Sequence, residues 1–221
     1  MEATILKGRD MQKLAVFSLP AVIRYDKELL RSYFVDAINS VEGTGFSLSD
    51  VPETGNASQV VMNLFEQELG AFPSIKKMER ISKKFTKRVK KYFIDEDDSF
   101  EVRPGVQSIF RQIEKEKKWR YCIISDYWAD STHLMLQTCG VFSKNKFTIT
   151  ADDALTQEDQ LKMAVKRAHK KNKGLKTYYI NGTANEADTK LAIVLKPKFS
   201  AKTDNYFAYP KFSELFKKSK D

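Results

Sequence analysis

Hydrophobic residues follow two different rhythms along the chain. Leu14, Ala15, Val16 and Phe17 are consecutive, the pattern of a strand buried on both faces, inside the longer apolar run "KLAVFSLPAVI". Over residues 26–41 the rhythm becomes helical, with Leu29, Leu30, Tyr33, Phe34, Ala37, Ile38 and Val41 on one face. The segment "VEGTGFSLSDVPETGN" then predicts a loop, and a second helix follows from about residue 57 to 69. A third is predicted along "IKKMERISKKFTKRVKKYF", with Ile75, Met78, Ile81, Phe85, Val89 and Phe93 as its apolar stripe. Residues 26–93 thus read as all-helical.

Beyond the acidic run at 95–98 and the turn "RPG" at 103–105, strands alternate with helices. A helix over 106–117 precedes the buried strand "WRYCIIS", and a helix over 131–139 closed by Gly140 precedes the strand "KFTIT". A helix over 157–171, the strand "KTYYIN" and a helix from about 185 to 191 follow, and "NYFAY" and "FSELFKK" finish as strand and helix. This alternation predicts an α/β fold with a doubly wound parallel sheet. The opening strand belongs to that sheet, so the expected organisation is a core of residues 1–24 plus 96–221 with a helical cap inserted at 25–95.

Composition removes several function classes. Lys7, Arg9 and Lys13 precede the first apolar run, as in a secretory leader, but the run continues into Arg24, Tyr25, Asp26 and Lys27 without a small-residue cleavage site. It is also far shorter than the roughly 20 apolar residues that span a bilayer. Cys122 and Cys139, the only cysteines, both lie in apolar surroundings, which gives no basis for a disulfide framework or a cysteine-rich zinc site. A reducing cytoplasm is the expected compartment.

The formal net charge of +9 is concentrated in one place, since residues 75–93 hold nine lysines and arginines against one glutamate. Pairs such as Lys83 with Lys87 and Lys84 with Arg88 put like charges at i, i+4, each destabilising by roughly 0.2–0.5 kcal/mol. Such a face is either a solvated surface or the footprint of an anionic partner. Lys83, Lys84, Lys87 and Arg88 are its candidate polyanion-binding residues.

Ligands of open parallel sheets bind beyond the carboxyl ends of the strands. The residues to weigh for chemistry are therefore Ser18 to Val22, Ser125, Asp126, and the stretches 150–153 and 181–188. The order of segments around them resembles the haloacid dehalogenase-like hydrolases over nearly the whole chain. "LAVFSLPAVI" stands where that family has an apolar strand followed by Asp-x-Asp-Gly-Thr. "ETGNASQVVMNLFEQELG" is similar to a cap segment, "VRPGVQSIFRQI" to the return into the core, and "YCIIS" to the second motif, a strand ending in Ser or Thr. "YYINGTANEADTKLA" looks like the fourth motif, an apolar strand followed by Gly-Asp-x-x-x-Asp.

What the resemblance implies is a magnesium-dependent phosphatase that forms an aspartyl phosphate on the first aspartate and uses the second as general acid and base. Those two positions hold Ser18 and Pro20 here, and a magnesium-binding aspartate of the fourth motif falls on Gly182. The expectation is a catalytically degenerate relative that keeps an anion pocket at Ser125, Lys162, Thr183 and Asn185, with Lys166 as a less favoured third-motif lysine. A phosphorylated small molecule or other anion is the matching ligand. Asp126, Asp152, Glu186 and Asp188 would hold magnesium only if hydrolase activity were kept through relocated carboxylates. Asp26 and Glu28 are further relocation candidates, although acidic residues at helix starts, including Asp152 and Asp153, commonly serve as caps. His133 and His169 lie on separate helices without a partner at metal spacing. Pseudo-phosphatase, divergent phosphomonoesterase and polyanion- or protein-binding module remain open.

Overall fold

The computed structural model describes residues 13–53, 55–95, 100–115, 119–141, 147–169, 176–181, 191–195 and 206–209. At its centre lies β1 (Lys13–Ser18), flanked in parallel by β4 (Trp119–Ile124) and β6 (Lys176–Asn181). The parallel strand β5 (Phe147–Ile149) extends the sheet beyond β4. On the other side β7 (Leu191–Leu195) and β8 (Tyr206–Tyr209) run antiparallel, giving the order β5-β4-β1-β6-β7-β8. The doubly wound α/β fold expected from the alternating pattern is the fold of the chain. The helix predicted from about 185 to 191 is corrected at one end: Leu191 begins β7, while 182–190 and 210–221, with the expected terminal helix, lie outside the described residues.

Helices cover both faces of the sheet at β1, and its apolar run divides between them by the two-residue period of a strand. Leu14 and Val16 pack with Leu161, Ala164 and Ala168 of α7 (Gln157–His169). Ala15 and Phe17 face the opposite layer, where Phe17 meets Phe110 edge-on at 5.2 Å. Phe110 belongs to α5 (Val106–Lys115), beside which α6 (Ala129–Thr138) completes that layer.

The helical segment starts with a feature absent from the periodicity reading. Leu19–Val22 forms a single turn, α1, and Ile23–Tyr25 is a short strand, β2, paired antiparallel with β3 (Phe100–Val102). The two chain passages between sheet and helices are thus tied to each other. Local apolar spacing cannot reveal a pairing whose partners lie so far apart in sequence.

Three helices follow. α2 (Lys27–Glu42) starts at Asp26, whose carboxylate accepts from Leu29 N at 3.0 Å, and stops at Gly43, which adopts the left-handed conformation that glycine tolerates. α3 (Ala57–Leu69) is capped by Asn56. α4 (Ile75–Asp95) buries Ile81, Phe85, Val89 and Tyr92. Ile75, expected on that stripe, is instead 80% exposed, because the first turn of α4 projects past the layer it packs on.

Helices and sheet share one apolar core. Phe85 stacks on Tyr127 at 5.4 Å and meets Trp128 at 5.9 Å, while Phe34 meets Trp128 at 5.7 Å. Truncating Phe85 to alanine is expected to cost about 3–5 kcal/mol in urea unfolding. Since the ring belongs to both layers, helices and sheet should still melt in one transition, followed by fluorescence and circular dichroism together.

Candidate functional site

β1 and β4 end side by side, with Ser18 in register with Ile124, and this places Ser18 beside Ser125 at the carboxyl edge of the sheet. Above this edge a cleft of about 530 Å³ opens between the sheet loops and the helices. Its lining includes Pro20, Lys27, Arg31, Gln59, Asp126 and Gln157, together with the neighbouring rings of Tyr25 and Tyr127.

Neither residue at the first-motif positions offers a carboxylate to this cleft. Ser18 is only 5% exposed, at the end of β1. Pro20 sits in the first turn of α1, where a missing N–H costs nothing, and its carbonyl accepts from Nε of the buried Arg103. Arg103 N also donates to Val22 O at 2.9 Å, so the "RPG" turn holds the loop after β1 from below.

Ser125 is 2% exposed and its hydroxyl oxygen serves the turn that follows it. It accepts from Tyr127 N at 3.1 Å and from Thr132 Oγ1 at 2.7 Å. Its carbonyl accepts from the buried amide of Gln160 at 2.8 Å. Gln160, which the sequence reading did not single out, therefore places a neutral amide against the second-motif strand end. Lys162 does not reach Ser125: it is exposed on α7 and pairs with Glu158 at 2.9 Å and Asp159 at 3.3 Å, and Lys166 is exposed on the same helix. The lysine at this position thus takes part in a surface ion pair, and the buried places on α7 nearby are held by Gln160, Leu161 and Ala164. Thr183, Asn185, Glu186, Asp188 and Gly182 lie outside the described residues.

The carboxylates separate by task. Asp26 caps α2 and Glu28 pairs with Arg31 at 3.0 Å. Asp152 accepts from Ala129 N at 2.7 Å at the start of α6, and Asp153 accepts from Thr150 N at 2.9 Å and pairs with Arg167. Asp126 alone among these faces the cleft. Burial raises its carboxyl above the ordinary range, and the nearby Lys27 opposes this shift. Burial likewise raises the hydroxyls of Tyr25 and Tyr127, which are hydrogen-bonded to each other.

A magnesium ion does not fit the described donors. It requires near-octahedral oxygen coordination and is usually anchored through one or two carboxylates and substrate phosphates. Here the strand ends offer a hydroxyl and a proline where two carboxylates would stand, and Asp152 and Asp153 are engaged elsewhere. No group of three or more His, Cys, Asp and Glu poised for a metal occurs among the described residues. His133 bonds Thr148 Oγ1 at 3.0 Å. Both cysteines are free, with Cys122 buried and the Cys139 thiol raised by burial to about 11. No helix among the described residues is long and apolar enough to cross a membrane.

The helices are sewn to the sheet loops at the start of α3. Ala57 N donates to Asp126 O at 2.7 Å, and Asn56 Nδ2 donates to Ala154 O at 2.8 Å. Ser58 Oγ donates to Ala151 O at 2.9 Å and accepts from the Trp128 indole at 2.9 Å. These bonds reach across the chain and leave no local signal in the sequence.

A central parallel sheet, helices inserted after its first strand and a cleft at the strand ends define the haloacid dehalogenase-like fold, and this chain has it. Solved structures agree. The chain is similar to a hydrolase from Pseudomonas syringae, with a TM-score of 0.53 and 16% identity over 71% of this chain and 70% of that one. It is also similar to CbbY from Rhodobacter sphaeroides, solved in complex with phosphate, at a TM-score of 0.53 and 10% identity over 76% and 77%. A phosphonoacetaldehyde hydrolase-like protein from Oleispira antarctica gives 0.50 and 12% over 80% and 68%. Likeness at such identities establishes the fold alone. Neither a family sequence model nor a curated protein matches the chain.

Two substitutions read this site. Ser58→Ala leaves the buried Trp128 N–H without its acceptor and should cost about 1–3 kcal/mol in denaturant unfolding. The raised Asp126 carboxyl means that the folded state holds a proton which the unfolded state has released, so this residue lowers stability as pH rises from its ordinary value of 3.8 through its raised one. Asp126→Asn should therefore raise the melting temperature at neutral pH, and the gain should vanish in acid below that ordinary value.

Proposed function

We propose that this chain is a pseudo-phosphatase: a hydrolase-fold protein that binds a small polar or anionic ligand in the cleft without forming an aspartyl phosphate. The observation that carries the reading is the first-motif edge itself. Ser18 is buried there, and Pro20, which has no ionisable group, has its carbonyl held by Arg103. A serine nucleophile needs a base beside it, and this loop supplies none of its own. The junction of α3 with the sheet loops and the aromatic packing of Phe85 on Tyr127 further support a cap held against the core.

The cleft's polar walls suit a compact ligand carrying unlike groups. Lys27 offers a cation, Gln59 and Gln157 offer amides, and Asp126 offers a desolvated carboxyl. A divergent phosphomonoesterase would draw on Asp126 and Glu53 among the described carboxylates, since both line the cleft while Asp152 and Asp153 are engaged in structural bonds.

With magnesium and generic phosphomonoesters, turnover should not exceed background. Robust activity that disappears on Ser18→Ala would overturn the reading. Activity lost only on Asp126→Ala would install the phosphomonoesterase in its place.

A further inference from the structure

Outside the cleft, the largest unexplained feature is the outer face of α4. With Ile81, Phe85 and Val89 fully buried, the opposite side of the helix is turned to solvent. Lys76, Arg80, Lys83, Lys87 and Lys90 follow one another at alternating steps of four and three residues, which lines them up along a single exposed stripe. Lys84, Arg88 and Lys91 flank it, also exposed. Of these eight cations, Arg88 pairs with Asp36 at 3.2 Å. The other seven have no carboxylate within ion-pair distance among the described residues. A recess of about 430 Å³ lies between this face and Ser40 of α2, rimmed by Lys84, Lys87, Lys90 and Lys91.

From Lys76 to Lys90 the helix rises about 21 Å, so the five cations of the stripe recur at roughly one per 5 Å of axis. A nucleic-acid strand carries one phosphate per 3.4 Å of helix axis. We propose that α4 is a docking ridge for the sugar-phosphate backbone of a nucleic acid, bound without regard to sequence. The length of this exposed stripe and its single sign, complementary to a phosphodiester backbone, are what favour this partner. A membrane-surface helix directs an apolar face into the lipid, whereas the apolar side of α4 faces the protein interior along Ile81, Phe85 and Val89, leaving Ile75 at its start and Ile94 at its end exposed. The cations also lack the interleaved aromatic side chains that stack on bases, which makes the recognition one of charge and shape.

The test is fluorescence anisotropy of the full chain with a labelled mixed-sequence DNA duplex of about 20 base pairs at increasing salt. Contact with four or five phosphates gives a log–log salt slope of about −4. Replacing Lys83, Lys84, Lys87 and Lys90 together by Gln should weaken binding at least about tenfold and flatten the slope towards about −1. The same four changed to Arg should keep both. Arg111→Gln, Lys115→Gln and Arg120→Gln, elsewhere on the surface, should leave both unchanged. The Gln variant relieves like-charge repulsion within α4, and an undiminished melting temperature verifies that it folds. Should it not fold, the pair Lys83→Gln and Lys87→Gln replaces it and should remove about half of the slope. No duplex binding at about 50 mM salt, binding that ignores the Gln changes, or tighter binding to phosphatidylserine-containing vesicles than to DNA would overturn the proposal.

Discussion

Ser58 stands at the point where the two halves of the molecule meet. Its hydroxyl accepts the indole N–H of Trp128 and donates to Ala151 O, out of reach of bulk water. Inside protein, such bonds gain strength from the low local dielectric, and breaking one leaves a costly orphan. Since Asn56 and Ala57 bond to the same loops, the first turn of α3 sits in one fixed position over the strand ends. That position brings Phe34 and Phe85 onto Trp128 and Tyr127, sets the width of the cleft, and leaves the charged side of α4 facing outward.

Within this frame the scaffold is that of the haloacid dehalogenase-like fold, and the proposed pseudo-phosphatase reading concerns only the chemistry at its strand ends. The strand order, the paired passages β2 and β3 and the cleft at the carboxyl ends are all present. The polar groups beneath the cleft now serve structure: Ser125 anchors its own turn, Gln160 binds the end of β4, and Arg103 steadies the loop after β1. Each engages a buried group that would otherwise be unsatisfied, which is what buried polar atoms require whether or not any catalysis occurs. Asp126 differs. It lines the cleft, and burial raises its carboxyl above the ordinary range.

How much was legible in the sequence follows the range of the forces involved. Consecutive apolar residues identify β1, because a central strand needs cover on both faces, and helical spacing identifies α2, α3 and α4, because each buries one stripe. The substitutions at Ser18 and Pro20 were visible because the resemblance supplies an expectation for those two positions. Contacts between distant segments were not visible. Nothing near Lys162 reveals that Gln160 takes the inward place on α7, and nothing near Ser58 reveals Trp128. The exposure of Ile75 has the same origin, since a helical stripe says which side is apolar but not how far along it the neighbouring layer extends.

The proposed function requires that the carboxyl edge of β1 form no aspartyl phosphate. A crystal structure determined in the presence of magnesium and a phosphate mimic such as beryllium fluoride tests it most directly. The account predicts no metal ion and no covalent adduct at Ser18, with any bound mimic held noncovalently in the cleft beside Lys27. A magnesium ion coordinated by Asp126, with the mimic bonded to Ser18 Oγ or to a carboxylate at the strand ends, would contradict it.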